Sequence, residues 1–184
     1  MAHVCPWWLG FFLVNPLRKI KQNPEKILGP FIKQGMTLLD VGSGMGYFSI
    51  PMAGLTGPKG RVVCLDVQEK MLHFLRKRVA KAGFSDIISP RLCPPGSLGI
   101  DDLAGRVDFA MLFAVVHEVP DREHVFKELW RSLKPGGKVL FAEPKGHETQ
   151  AGFDRSISIA RNCGFTATEA SPIWRSYAVL LGKK

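Results

Sequence analysis

The chain has 184 residues, 46% hydrophobic and 22% charged, with a formal net charge of +9 at pH 7, which fits a single globular domain with a substantial core rather than a disordered or fibrous chain. Its four cysteines (Cys5, Cys64, Cys93 and Cys163) lie far apart without a C-x-x-C pair, which argues against a zinc ribbon or disulfide framework and fits a reducing cytoplasm. No apolar run approaches the ~20 residues that span a bilayer.

The N-terminal run WWLGFFLV is followed by its basic residues rather than preceded by them, so it lacks the pattern of a signal peptide. From Thr37 onward strands and helices alternate. TLLDVG (37–42) reads as a buried strand, and a glycine turn leads from it into a helix, YFSIPMAG, with Pro51 either in its first turns or kinking it. GPKG is a turn and RVVCLD (61–66) a second strand. The following helix has Met71, Leu72, Leu75 and Val79 on one face, and Gly83 stops it. DIISPRLC is a third strand, assigned to a sheet edge because Pro90 cannot donate a ladder bond. RVDFAMLFAVVHEV carries a fourth strand into a loop. DREHVFKELWRSL is helical, PGG turns, and KVLFAEP (138–144) is a fifth strand. A helix over ETQAGFDRSISIARNCGF ends at Gly164, and TATEAS and SYAVLLG close the chain as two strands.

This alternation implies an α/β fold, a parallel sheet covered on both faces with right-handed crossovers. The last two strands have no helix between them and should pair antiparallel. One domain is expected, with residues 1–36 a helical extension and 37–184 the core.

Residues 38–49 read LLDVGSGMGYFS. Glycine turns after a first strand usually cradle a pyrophosphate at a helix N-terminus, where amides and the dipole favour anions. Here Asp40 stands two residues before the first glycine and would repel such a group. The spacing is G-x-G-x-G (Gly42, Gly44, Gly46), not the dinucleotide G-x-G-x-x-G. Both facts suit a phosphate-free, cationic nucleoside. S-adenosylmethionine, with its sulfonium and α-amino group, meets that description. Asp40 is placed to hold the ammonium end, and Asp66, 20 residues after Gly46, to accept both ribose hydroxyls.

The motifs LLDVGSGMGYFS, VVCLDVQEKML, DFAMLFAVVHEV and ELWRSLKPGGKVLFAEP resemble those of the class I S-adenosylmethionine-dependent methyltransferases, particularly the small-molecule branch that includes quinone-biosynthesis enzymes. The resemblance runs from Thr37 to the C-terminus. It implies a doubly wound, mostly parallel sheet of seven strands in the order 3-2-1-4-5-7-6, with the last strand antiparallel and helices on both faces. It also implies cofactor contacts from Ser43 and Phe48 in the turn, from Val67 and Met71 after the second strand, and from Phe113 at the end of the fourth. The adenine would lie against Cys93 and the loop of Pro94, Ser97 and Leu98. Many relatives carry Asp-Ala before that loop, whereas this chain has LCPPGSL.

Methyl transfer is an in-line displacement that needs orientation above all, and a base only where the nucleophile sheds a proton. His117 is the candidate base, against a packing role that orients its loop. Glu118 and Glu143 are further candidates, and His117 and Glu143 are also candidates for substrate contact. An Asn/Asp-Pro-Pro-aromatic cluster for amino groups of bases and a Pro-Cys nucleophile are both missing from the loop FAVVHEV. His117, Glu118, His147 and Glu148 lack metal-ligand helix spacing, and the cysteine spacing gives no support to arsenic ligation, so no metal is assigned.

Trp7, Trp8, Phe11 and Phe12, followed by Arg18, Lys19 and Lys21, read as a lid lining an apolar substrate pocket. Two other readings are a helix at an anionic bilayer surface, hence a peripheral membrane contact, and plain packing under the sheet. The expected activity is therefore methyl transfer to a small, apolar or aromatic molecule in the cytoplasm, with no obligate partner evident. An RNA or protein methyltransferase, prompted by the charge of +9, and a non-catalytic S-adenosylmethionine-binding module are the alternatives. The basic residues are spread along the chain without a block interleaved with aromatics, so a solvated basic surface is preferred to a nucleic-acid groove.

Overall fold

The computed structural model describes residues 6–10, 14, 15, 17–94 and 96–184. Seven strands run β1 (Thr37–Val41), β2 (Arg61–Asp66), β3 (Ile88–Leu92), β4 (Val107–Phe113), β5 (Leu133–Pro144), β6 (Thr166–Glu169) and β7 (Ser176–Gly182). They form a sheet in the order β3-β2-β1-β4-β5-β7-β6. The β1–β2, β2–β3 and β4–β5 pairs are parallel, and β7 runs antiparallel to both β5 and β6. The expected topology is therefore the observed one. By its contacts the chain divides into two compact units, one ending at Cys93 and the other beginning at Pro94.

In the first unit, Leu38, Leu39, Val62, Val63, Cys64 and Leu65 are wholly buried. That is why β1 and β2 read as continuous apolar runs rather than alternating ones. Two short helices, α1 (Arg18–Lys21) and α2 (Pro24–Leu28), precede the sheet. Asn23 caps α2 by accepting from the Lys26 N–H at 3.1 Å, and Pro24 takes the first helical position, where its missing N–H costs nothing. Helix α3 (Ser49–Thr56) tolerates Pro51 for the same reason, because the residue sits in the first turn. Helix α4 (Glu69–Ala82) buries Met71, Leu72, Leu75 and Val79, and Gly83 ends it in the left-handed conformation. Edge strand β3 carries Pro90 opposite Cys64.

In the second unit, Asp121 caps helix α5 (Arg122–Ser132) and Thr149 caps α6 (Gln150–Asn162), each side chain accepting from the N–H three residues on. Strand β5 starts five residues earlier than the sequence pattern indicates. Leu133 already pairs with Val107, and the next pairing joins Phe109 to Lys138, so the Pro-Gly-Gly turn is absorbed as a register shift inside the strand. Phe126, Phe141 and Phe153 form an aromatic core, with ring centroids 5.8 Å apart for Phe126–Phe141 and 4.8 Å for Phe141–Phe153. Among the described residues no helix is long and apolar enough to cross a membrane. Phe11, Phe12 and Cys5 lie outside the described residues.

Phe141 is fully buried in β5, so Phe141→Ala should lower unfolding stability by about 3–5 kcal/mol. Urea titration of the two proteins measures the loss.

Candidate active site

The turn after β1 is built by three glycines in left-handed conformations, Gly42 at φ 69°, Gly44 at 52° and Gly46 at 81°. A Cβ on Gly46 would run into Leu75 Cδ1 on helix α4, so that side chain would have to shift, and the left-handed backbone itself favours glycine here. A Cβ on Gly44 would meet nothing within 4 Å; that side of the turn is open. The Ser43 N–H donates to the Leu65 carbonyl at 2.9 Å, tying the turn to β2.

Asp66, at the end of β2, accepts from the Gly44 N–H on one oxygen at 2.9 Å and from the Gln68 N–H on the other at 2.8 Å. Burial pushes its carboxyl above the usual range, against the backbone amides of Gln68, Gly44 and Val67. Each oxygen keeps acceptor capacity beyond its one amide. Asp40, 3% exposed, accepts from the Ser49 hydroxyl at 2.5 Å. Burial raises its pKa to about 7, the Ser49 bond opposes the rise, and the charge of Asp66 adds to it. Among the described residues neither acid forms an ion pair with a lysine or arginine, and the buried Ser43 hydroxyl has no hydrogen-bond partner. This corner has an unmatched appetite for positive charge and for a polar ligand.

Other residues expected around a cofactor flank the same corner. Met71 is buried, Val67 is 58% exposed, and the Cys93 N–H donates to the Asp66 carbonyl at 2.9 Å. Phe48 is buried edge-on to Tyr47, with ring centroids 5.1 Å apart. The N-terminal segment crosses here. Trp7 stacks on Phe74 at 6.0 Å, and a Cβ on Gly10 would lie 2.7 Å from Met45 Cε and 2.9 Å from Met71 Sδ. The Arg18 guanidinium sits 4.1 Å over the Tyr47 ring, and the Tyr47 hydroxyl donates to the Gln22 carbonyl at 2.6 Å. Trp8 is about half exposed. Arg78 donates to the Met45 carbonyl and so steadies the turn from helix α4.

In the second unit, the loop beginning at Pro94 is anchored by a buried acid. Glu128, 4% exposed, accepts from the Ser97 hydroxyl at 2.6 Å and the Leu98 N–H at 2.8 Å. Its role escapes motif reading, yet a signal exists: Val125, Glu128, Leu129 and Ser132 follow the i, i+3, i+4, i+7 stripe of α5, so the glutamate occupies an inward position. Phe113 closes β4, half-buried. Beyond it Ala114 adopts φ 59°, a strained region for a residue with a Cβ. His117 and Glu143, 26 residues apart, meet with Nδ1 2.7 Å from Oε2. His117 Nε2 lies 3.8 Å from Glu118 Oε1, and the His147 ring is 5.4 Å from that of His117. Glu148 instead pairs with Arg122 at 3.1 Å. Among the described residues no group of three His, Cys, Asp or Glu side chains could hold a metal ion.

A family model described as a methyltransferase domain matches residues 39–141. The chain belongs to the class I S-adenosylmethionine-dependent methyltransferases. The chain is 32% identical over 122 residues to demethylmenaquinone methyltransferases of Bacillus cereus and Bacillus anthracis, an alignment covering 66% of the chain and 50% of each relative. It thus spans about half the length of the curated relatives it matches. Its fold matches a SAM-dependent methyltransferase from Aquifex aeolicus with a TM-score of 0.86 at 24% identity, covering 98% of this chain and 100% of that one. Phosphoethanolamine N-methyltransferase 2 of Haemonchus contortus, solved with S-adenosyl-L-methionine, matches with a TM-score of 0.63 at 22% identity over 77% of this chain and 36% of that one.

Glu128→Ala leaves the Leu98 amide without its charged acceptor, so it should cost about 2–3 kcal/mol of stability, with a smaller loss for Glu128→Gln. Chemical denaturation of the three proteins checks the order.

Proposed function

We propose that the protein transfers the methyl group of S-adenosylmethionine to a small, apolar or aromatic molecule. The observation that carries the reading is the pair of buried acids Asp40 and Asp66, held by a hydroxyl and by amides rather than by cations. Such a corner repels a pyrophosphate and favours a nucleoside whose tail is positively charged. When bound, this cofactor supplies a methyl group on an already activated sulfonium.

The chain's own residues do the rest. Asp66 is pre-set by the Gly44 and Gln68 amides to accept the ribose hydroxyls, and Asp40 to hold the ammonium. The open side of Gly44 lets the backbone approach the nucleoside. The Ser43 hydroxyl gains a partner. The N-terminal segment, lying over Met45, Met71 and Phe74, acts as a cover that excludes water and lines the acceptor pocket through Trp7 and Trp8. Residues 37–184 are then the catalytic core and 1–36 its extension. The likeness to demethylmenaquinone methyltransferases supports an apolar, ring-shaped acceptor, and Cys64, Cys93 and Cys163, none of them in a disulfide, suit a reducing cytoplasm.

Two binding experiments test this. Asp66→Ala removes hydrogen bonds to a charged acceptor, worth about 1.5–3 kcal/mol, so calorimetry should show affinity for S-adenosylmethionine weakened by at least about tenfold. Equal binding by both proteins would remove the ribose assignment. The second concerns pH. Without ligand Asp40 keeps its proton up to about pH 7, and a bound ammonium favours the ionised form, so binding expels that proton. Affinity should climb as pH rises towards 7 and level off above it, whereas Asp40→Asn should bind more weakly with no such climb.

A further inference from the structure

Glu143, next to last in β5, has its side chain 1% exposed, and its carboxylate makes three contacts with a single turn. Oε1 accepts from the Val116 N–H at 2.7 Å and from the His117 N–H at 3.2 Å, while Oε2 lies 2.7 Å from His117 Nδ1. The two amide bonds alone would tie the loop after β4 to the tip of β5. The third contact does something a tie does not need. An ionised carboxylate only accepts, so Nδ1 carries the hydrogen and a neutral ring has its lone pair on Nε2. The turn lies at the carboxyl ends of β4 and β5, where open α/β sheets bind their ligands. Ala114, three residues before His117, is held at φ 59°, and backbone strain of this kind gathers at functional loops.

We propose that Glu143 is a positioning residue that locks His117 in the tautomer whose Nε2 takes a proton from the methyl acceptor, and that the acceptor is therefore a phenol or enol rather than a neutral amine. The inference rests on the methyl-transfer reading above and narrows its substrate class. The acceptor O–H bond breaks and its proton goes to Nε2. The freed electron pair forms the new bond to the methyl carbon, from oxygen or from the conjugated carbon of the enol, and the methyl–sulfur pair departs on sulfur. Glu143 and Glu118 hold the resulting imidazolium until its proton passes to water.

The charges around His117 fit a strong base. The Glu143 bond raises its pKa above the ordinary histidine range. Burial opposes the rise, and the charges of Glu143, Glu118 and Glu148 support it; the His147 ring also lies beside it, 5.4 Å away. A base must be neutral to act, so turnover should grow as pH rises through that elevated midpoint. Glu143→Gln keeps a carbonyl for the two amides but presents an N–H to Nδ1, which forces the hydrogen onto Nε2 and removes the charge that held the midpoint high.

NMR of histidine-labelled protein, titrated with and without S-adenosylhomocysteine, reads the tautomer and midpoint of His117 directly, independently of any substrate. The wild type should show Nδ1–H and an elevated midpoint, and Glu143→Gln should show Nε2–H and a lower one. Turnover is followed with a dihydroxynaphthalene kept reduced and with an aromatic amine as the comparison acceptor. Glu143→Gln and His117→Ala should each lose about 10²–10⁴-fold in kcat on the dihydroxynaphthalene, with unchanged affinity for S-adenosylhomocysteine. The acid limb of any residual Glu143→Gln activity should shift to lower pH. An Nε2–H tautomer in the wild type, turnover in both variants with the wild-type acid limb, or methylation of the amine alone would each overturn the proposal. Loss of cofactor binding by the wild type would instead sink the methyl-transfer reading and leave the histidine titration as a separate result.

Discussion

The carboxylate of Asp66 bridges the glycine turn and the end of β2, taking the Gly44 amide on one oxygen and the Gln68 amide on the other. With both oxygens so occupied, its orientation is set before any ligand arrives. That arrangement keeps a charge buried at a cost that only well-aimed donors can offset. The turn can reach Asp66 because its three glycines accept left-handed geometry, and it can pack against α4 because Gly46 leaves room for Leu75. Asp40, one strand over, is the counterpart: buried, bonded to a hydroxyl, and driven towards its neutral form by the same burial and by Asp66 itself.

A single theme runs through the buried acids. Among the described residues the buried carboxylates are Asp40, Asp66, Glu128 and Glu143, and no lysine or arginine is buried with them. Each is satisfied by amides, hydroxyls or an imidazole. The excess of basic residues stays at the surface, where salt and water screen it. In a chain with a net charge of +9 the interior is thus electronegative where function is expected. Two of these acids shape a turn of main chain, Glu128 the loop holding Ser97 and Leu98 and Glu143 the turn holding His117.

The elements and the glycine corner were legible because they depend on local rules. Continuous apolar runs mark buried parallel strands, Gly83 stops α4, Pro90 marks an edge, and Asp40 and Asp66 lie close in sequence to the turns they border. What escaped reading depends on separations of 26 to 31 residues, as between Glu143 and His117 or Glu128 and Ser97. Nothing local distinguishes a glutamate that will meet an amide across the fold from one that will meet water, except its place on an apolar stripe. The early start of β5 escaped for a different reason. A Pro-Gly-Gly sequence marks a turn, and only the pairing of Leu133 with Val107 shows that the ladder resumes on its near side.

The two margins of the sheet have a consequence for how copies of this chain meet. At one margin β3 is interrupted by Pro90, which offers no amide to a newcomer, and at the other β6 is only four residues long. Neither rim is a good template for zippering to a neighbouring backbone. A second copy laid along either rim would therefore gain few backbone hydrogen bonds from it.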